Sequence, residues 1–388
     1  MAVPMIDAAR QVPNRASWIE ISADAIVNNV AALRDLLKPT TKVMAVVKGN
    51  AYGHGAALVA KVVQGAGVDQ LAVATVDEGI ELRHQGTALP ILVLGHTPTS
   101  GITAALHHAL TLTLHRDDNM ADLAQVAQSV DRRAVVHLKV NTGMNRLGVD
   151  PADVVPFVRA LHAYHPHLQL EGIFTHFATA DHLDQTFAQE QLSRFQQALQ
   201  ALTAVQLRPP LAHAANSAAI LQFPAAQLDM VRCGIALYGL HPDAETCRLS
   251  DAFQPVLRWK AQIAQLTRLQ PGEGVGYGQT FRAEQPTVVA TIPIGYADGF
   301  PRSPHHWGSV LIHGAEAPIL GRVCMDQTIV DVTPLTEQGV PVQPGDEVVL
   351  IGRQRQRQLT TEEIAERLGT VNYEVVSRIL PRVPRVLV

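Results

Sequence analysis

The chain has 388 residues, 47% of them apolar and 17% charged, a globular composition that excludes disordered and fibrous classes. A formal net charge of −4, with no basic stripe and no RNA-binding signature, leaves no footprint for nucleic acid. No apolar run approaches the roughly 18 residues of a membrane span, MAVPMIDAAR lacks the pattern of a signal peptide, and three cysteines without C-x-x-C spacing argue against zinc sites and a disulfide framework. A reducing cytoplasm is the expected home, and the length suggests two domains.

In chain order, ADAIVNNVAALRDLL predicts an amphipathic helix beginning just after Ser22, a good N-cap. Residues 42 to 234 then carry a rhythm of short apolar segments: KVMAVVK, LAVAT at 71–75, PILVLG at 90–95, LTLTL at 110–114, AVVHLKV at 134–140, LQLEGIFTH at 168–176, PLAHAAN at 210–216 and LDMVRCG at 228–234. Stretches such as HGAALVAKVVQ, DPADVVPFVRALHAY and QTFAQEQLSRFQQALQAL, with apolar residues three and four apart, predict helices between them. Eight near-continuous apolar strands alternating with helices fit a (β/α)8 barrel, with an open doubly wound sheet as the alternative. After about residue 253 the rhythm changes: VLRWKAQIAQLTRL, TVVATIPIG, SVLIHG, QTIVDV and EVVLIG read as strands between Pro and Gly turns. LTTEEIAERLG reads as a helix with a capping box, and YEVVSRIL as a second. The expected division is a barrel over residues 12–253 and a mainly β domain over 254–388.

In such a barrel the polar residues at the strand ends mark the active site. Lys48 ends the first segment, Lys139 lies near the end of the fifth, His176 ends the sixth, Asn216 and Ser217 follow the seventh, and Arg232 ends the eighth. Each has an ordinary explanation alone: a hydrogen-bonded core histidine, a buried ion pair, a helix cap, a snorkelling lysine. Together on one rim they read as a site. A lysine in a dry pocket has a depressed pKa and can condense with an aldehyde, and pyridoxal phosphate is the obvious one. Its phosphate needs donors, which Asn216-Ser217 and Gly234-Ile235 could offer. GNAYGHG lacks the ending and spacing of a nucleotide P-loop. The paired histidines at 107–108 and 305–306, with His165 and His167, read as solvated loop residues, and no metal is expected.

At this point a resemblance enters. VVKGNAYGHG, VHLKVNTGMNRLGV, GIFTHFATAD, AANSAA, VRCGIALYG, VGYGQTFRA, IPIGYADGFPR, GRVCMDQ and NYEVVSRILPRVPR resemble, in order, the motifs of the bacterial alanine racemase family, from about Ser17 to the end. One departure is Gly49, where the family usually has Ala, a change expected to be tolerated; the extension before Trp18 has no counterpart.

The resemblance implies a pyridoxal 5′-phosphate enzyme, a homodimer with shared active sites, that interconverts L- and D-alanine for peptidoglycan. Lys48 would hold the cofactor and act as base on the D side, and Tyr277, from the other subunit, as base on the L side. Arg232 would face the pyridine nitrogen, with His176 linking it towards Tyr277. Tyr52, Ser217, Gly234, Ile235 and Tyr373 would hold the phosphate, with Asn216 nearby. Arg146 would orient Tyr277 or the substrate, and Lys139 is the position often carbamylated to hold Arg146. Met325 and Asp326 of the partner would line the substrate carboxylate, and Tyr296 would guard the entrance. A broader racemase acting on serine is the alternative. A decarboxylase usually has an acid at the ring nitrogen, which Arg232 argues against; a cofactor carrier needs no second base, which Tyr277 argues against.

Overall fold

A computed structural model describes residues 14–302 and 307–388, so the 305–306 histidine pair lies outside the described residues. The chain divides into two compact units. One takes Asp24–Ala51 and Ala56–Pro255; the other takes the chain up to Ala23, Tyr52–Gly55 and Val256–Val388.

The larger unit is a closed barrel of eight parallel strands: Lys42–Val46, Gln70–Val73, Ile91–Val93, Thr111–Leu114, Ala134–Lys139, Leu168–Phe174, Leu211–His213 and Met230–Cys233. The last pairs with the first, Met230 beside Lys42 and Cys233 beside Ala45, so the sheet has no open edge and the doubly wound alternative is excluded. All eight predicted segments are strands. They are largely apolar because helices such as Ala56–Gly65, Val154–His162 and Thr186–Ala204 cover their outer sides. The predicted early helix spans Ala23–Asp35 and buries Ala25, Ile26, Val30 and Leu33, its apolar stripe.

The second unit is mainly β. Its largest sheet runs through Ala315–Pro318, Ser309–Ile312, Glu347–Gln354, Leu257–Gln262, Ser17–Ile21 and Arg385–Leu387, with Arg357–Leu359 added beside Glu347–Gln354. Gln265–Leu269, Thr287–Ile292 and Thr328–Asp331 form a separate three-stranded sheet. The sequence reading placed no strand at Ser17–Ile21. It pairs antiparallel with Leu257–Gln262 and parallel with Arg385–Leu387, so this short early segment clusters with the C-terminal unit rather than with the barrel. The core is aromatic: Trp259 meets Trp307 edge-on at 5.6 Å and Phe300 at 5.9 Å, all three fully buried. Helix Thr361–Leu368 begins with the expected capping box between Thr360 and Glu363, and Asn372–Ser377 is the second helix.

Candidate active site

The barrel's C-terminal rim gathers the lysines, histidine and arginine that the strand ends predicted. Lys48 follows the first strand by two residues, and Arg146 and Arg232 both lie within electrostatic reach of it. Its amine is pushed below its ordinary value by burial first, then by Arg146 and, more weakly, Arg232, against an opposing pull from Glu78. Lys139, the last residue of the fifth strand, is buried with its ammonium 4.6 Å from the centre of the Phe174 ring. Burial, then Arg232 and Arg146, push its amine well below the usual range. Two lysines beside two arginines with little acid nearby make a strongly electropositive rim. Such a rim favours the neutral, nucleophilic form of each amine.

Arg232 sits in the eighth strand, 3% exposed. Its Nη1 donates to His213 Nδ1 at 2.9 Å, and its Nη2 to the Thr175 and Ala214 carbonyls at 2.8 and 2.9 Å and to His176 Nδ1 at 3.1 Å. Burial pushes the guanidinium down to about 9, so it remains protonated at neutral pH. Among the described residues no carboxylate pairs with it. An arginine donates and never accepts, which fixes the protons beyond it. His213 Nδ1 must accept, so its proton is on Nε2, which donates to His137 Nδ1 at 2.9 Å; His137 then donates from Nε2 to Glu171 at 3.0 Å. Likewise His176 Nδ1 accepts from Arg232, which leaves its Nε2–H to donate. His213 and His176 are both held well below the usual histidine range by burial first and Arg232 next, as neutral imidazoles in these roles require.

Ser217 and Gly234 come together behind Arg232. The Ser217 hydroxyl accepts the Gly234 amide at 2.9 Å and the Ala236 amide at 3.3 Å, which leaves its own hydrogen to donate; its one other neighbour among the described residues is the weak acceptor Cys233 Sγ at 4.0 Å. Asn216 caps the helix Ser217–Gln222 through Oδ1 and the Ala219 amide, and Ile235 opens the turn that follows Gly234. Cys233, beside them, is pushed up to about 12 by burial and stays a thiol.

The second unit assembles the other predicted residues. Tyr52 and Tyr373 lie together with ring centres 6.2 Å apart. Tyr277 stands 67% exposed in a turn between Gly276 and Gly278, both at positive φ. Tyr296 and Met325 are brought together by backbone bonds from the Tyr296 and Ala297 amides to the Cys324 and Met325 carbonyls, at 3.1 and 3.0 Å. Asp326 accepts from Arg382 at 2.5 Å.

The geometry has close counterparts. Residues 21–242 match the model of the alanine racemase N-terminal domain, and residues 256–387 that of its C-terminal domain. An alanine racemase of Halothermothrix orenii is 42% identical over 371 residues, 96% of each chain. The chain belongs to the alanine racemase family. Among solved structures, the alanine racemase of Clostridium difficile 630 matches with a TM-score of 0.90 at 36% identity, over 97% of this chain and 96% of that one. A histidine racemase of Leuconostoc mesenteroides matches with a TM-score of 0.88 at 29% identity, over 97% and 99% of the two chains.

Within this alanine racemase fold, the run from Arg232 through His213 and His137 to Glu171 is what strand-end reasoning missed. The run leaves the rim at Arg232 and His213 and passes through His137 to Glu171, both of which lie within their strands rather than at their ends. The signal was a histidine within each of two apolar segments, AVVHLKV and PLAHAAN, at positions where a buried polar side chain needs a partner.

Proposed function

We propose that the chain interconverts L- and D-alanine with pyridoxal 5′-phosphate, supplying D-alanine for peptidoglycan in the cytoplasm. The observation that carries this is Arg232: a buried guanidinium held only by neutral acceptors, with its Nε–H left without an acceptor among the described residues. That donor suits a pyridine nitrogen, the depressed Lys48 amine suits an aldehyde carbon, and the Ser217 hydroxyl hydrogen suits a phosphate oxygen. The donor set therefore fits the cofactor. When bound, pyridoxal phosphate supplies an electron sink for the charge left as the α-proton departs.

The remaining work belongs to side chains. Lys48 Nζ moves the α-proton on one face, and the phenol of the partner subunit's Tyr277 on the other, because inversion needs a base on each side. Arg232 keeps its proton and so denies one to the ring nitrogen, which holds back transamination. Ser217, Gly234, Ile235, Tyr52 and Tyr373 would hold the phosphate, with Asn216 fixing the turn that carries Ser217. The exposure of Tyr277 and Met325, at 67% and 52%, supports a homodimer in which this surface, with Tyr296 and Asp326, is covered by the other chain. Lys139 is proposed to be carbamylated: its neutral amine adds carbon dioxide, releases a proton and gains a carboxylate for Arg146. Its burial without an acid partner among the described residues supports this.

Borohydride treatment followed by peptide mapping tests the assignment. The label is expected on Lys48; a label on Lys139 or elsewhere overturns it. A broader specificity is the second reading, favoured by the fold's likeness to the histidine racemase. Turnover of L-alanine, L-serine and L-histidine side by side decides between the two.

A further inference from the structure

The turn that carries Lys48 is held in a costly conformation. Gly49, Asn50, Ala51 and Tyr52 follow one another with φ of 62°, 53°, 54° and 52°. A run of left-handed residues, three of which carry a Cβ, persists only where its surroundings over-determine it. Three hydrogen bonds do so. The Ala51 amide donates to the Val47 carbonyl at 2.8 Å, the Ala56 amide to Asn50 Oδ1 at 2.8 Å, and the Gly49 amide to Glu78 Oε1 at 2.6 Å.

Glu78 belongs to the helix Val76–His84, which follows the second barrel strand. Its other oxygen accepts the Ala74 amide at 2.7 Å and the Thr75 amide at 3.3 Å. A helix cap accounts for the bond to Thr75, since Thr75 and Glu78 form a capping box. It does not account for Oε1, which reaches across to the neighbouring strand end and grips the residue after Lys48. The charge matters as much as the bond. Of the charged side chains that act on the Lys48 amine, Arg146 and Arg232 are cations and Glu78 is the acid.

We propose that Glu78 is a positioning residue for Lys48: one carboxylate oxygen locks the left-handed turn that aims the lysine, and its charge stands opposite the two arginines around that lysine. This rests on the reading of Lys48 as cofactor anchor and base. A caught lysine that is too acidic would accept the α-proton poorly, so Glu78 acts on the D-alanine side of the reaction in particular.

The test uses holoenzyme with pyridoxal 5′-phosphate and three variants. Glu78→Gln keeps the shape and removes the charge, Glu78→Asp keeps the charge and shortens the reach, and Thr75→Ala removes the other half of the capping box. For Glu78→Gln, kcat/KM should fall by about tenfold, and equally in both directions because the equilibrium constant is fixed. The deuterium isotope effect with α-deuterated D-alanine should rise while that with α-deuterated L-alanine falls, since the Lys48 step becomes the slower one. Dissociation of pyridoxal 5′-phosphate should quicken in both Glu78 variants. Thr75→Ala should lower the thermal midpoint and leave isotope effects and cofactor dissociation at wild-type values. Wild-type isotope effects and cofactor dissociation in Glu78→Gln, or the same changes in Thr75→Ala, would overturn the inference. If borohydride misses Lys48 in the wild type, the functional reading fails; if it labels Lys48 while Glu78→Gln changes nothing, this inference alone fails.

Discussion

In the barrel, Arg232, Lys139, His137 and His213 are buried, and Arg232 and the two histidines are wired to one another. Arg232 and Lys139 are 3% and 7% exposed, and every imidazole that Arg232 touches has its proton placed by that contact. In the C-terminal unit the groups fit for chemistry stand out at the surface, with Tyr277 67% exposed and Met325 52%. A buried phenol or lysine can have its basicity tuned by its neighbours, whereas an exposed one is tuned by water. On the proposed reading, the tuning of Lys139 and Arg232 is already in place, whereas that of Tyr277 must come from whatever covers it.

The largest test of that contrast separates the two halves by chain. Lys48→Ala and Tyr277→Phe should each lower racemisation by about 10³-fold as pure homodimers, within the usual reach of a lost general base. If the halves of a site come from different subunits, mixing the variants restores one intact site per mixed dimer. Random remixing makes about half of all dimers mixed, so about a quarter of wild-type activity should return. Activity after co-refolding no higher than the sum of the separate variants would break the shared-site reading.

Next in size is Arg232→Glu. It trades a group that cannot give up its proton for one that can share a proton with the ring nitrogen, and it strips His213 and His176 of their donor. Racemisation should fall by about 10²-fold while pyruvate release from alanine rises. Unchanged values for both would show that Arg232 does not meet the ring.

A smaller effect is expected from Glu171→Gln, at the far end of the buried run. The hydrogen bond from His137, its largest influence, together with Lys42 and Gln70, holds the Glu171 carboxyl below its ordinary value. A carboxyl lowered in the folded state stabilises the fold above its unfolded pKa of about 4.3, and that contribution is lost as pH falls through the folded value. Wild type should therefore exceed the variant in chemical-denaturation midpoint at pH 7, and the gap should close as pH drops below about 4. A gap that persists at low pH would show that the charge of Glu171 contributes nothing.

These two regions also differ in how far the sequence exposed them. The barrel strands were readable because most of them are near-continuously apolar, and the rim residues because a closed barrel places whatever follows a strand on one face. Ser17–Ile21 was not. Its five residues alternate in burial, and the strands that complete it, Leu257–Gln262 and Arg385–Leu387, lie far along the chain, so no local pattern announces the pairing. Glu78 was hidden for another reason: at the third position of a capped helix its local role is sufficient, and its bond to Gly49 spans 29 residues. Long-range polar contacts leave no periodic trace, whereas burial does.

The smallest expected effect compares two glycines four residues apart, one in each unit. Gly49 has φ of 62° and nothing within 4 Å of where a Cβ would lie, so an alanine there meets only the intrinsic penalty of the left-handed region. That penalty is about 1–2 kcal/mol, offset in part by about 0.4–1 kcal/mol of entropy removed from the unfolded chain, for a net loss of about 1 kcal/mol. The Glu78 bond uses the Gly49 amide rather than its side chain, so the turn and the cofactor attachment at Lys48 should survive, in keeping with the family's usual alanine at this position. Gly53, at φ of 82°, is shut: a Cβ would come 2.0 Å from the Val376 carbonyl oxygen, a backbone atom that cannot rotate away. Gly53→Ala should cost about 3 kcal/mol or more, the upper range for forcing extra volume into a packed region. Denaturant midpoints measured for both variants, with the borohydride label mapped in each, check the pair. If Gly49→Ala proves the more damaging, the turn beside Lys48 is tighter than its open surroundings imply, and the strain argued for it must be carried by glycine at that position.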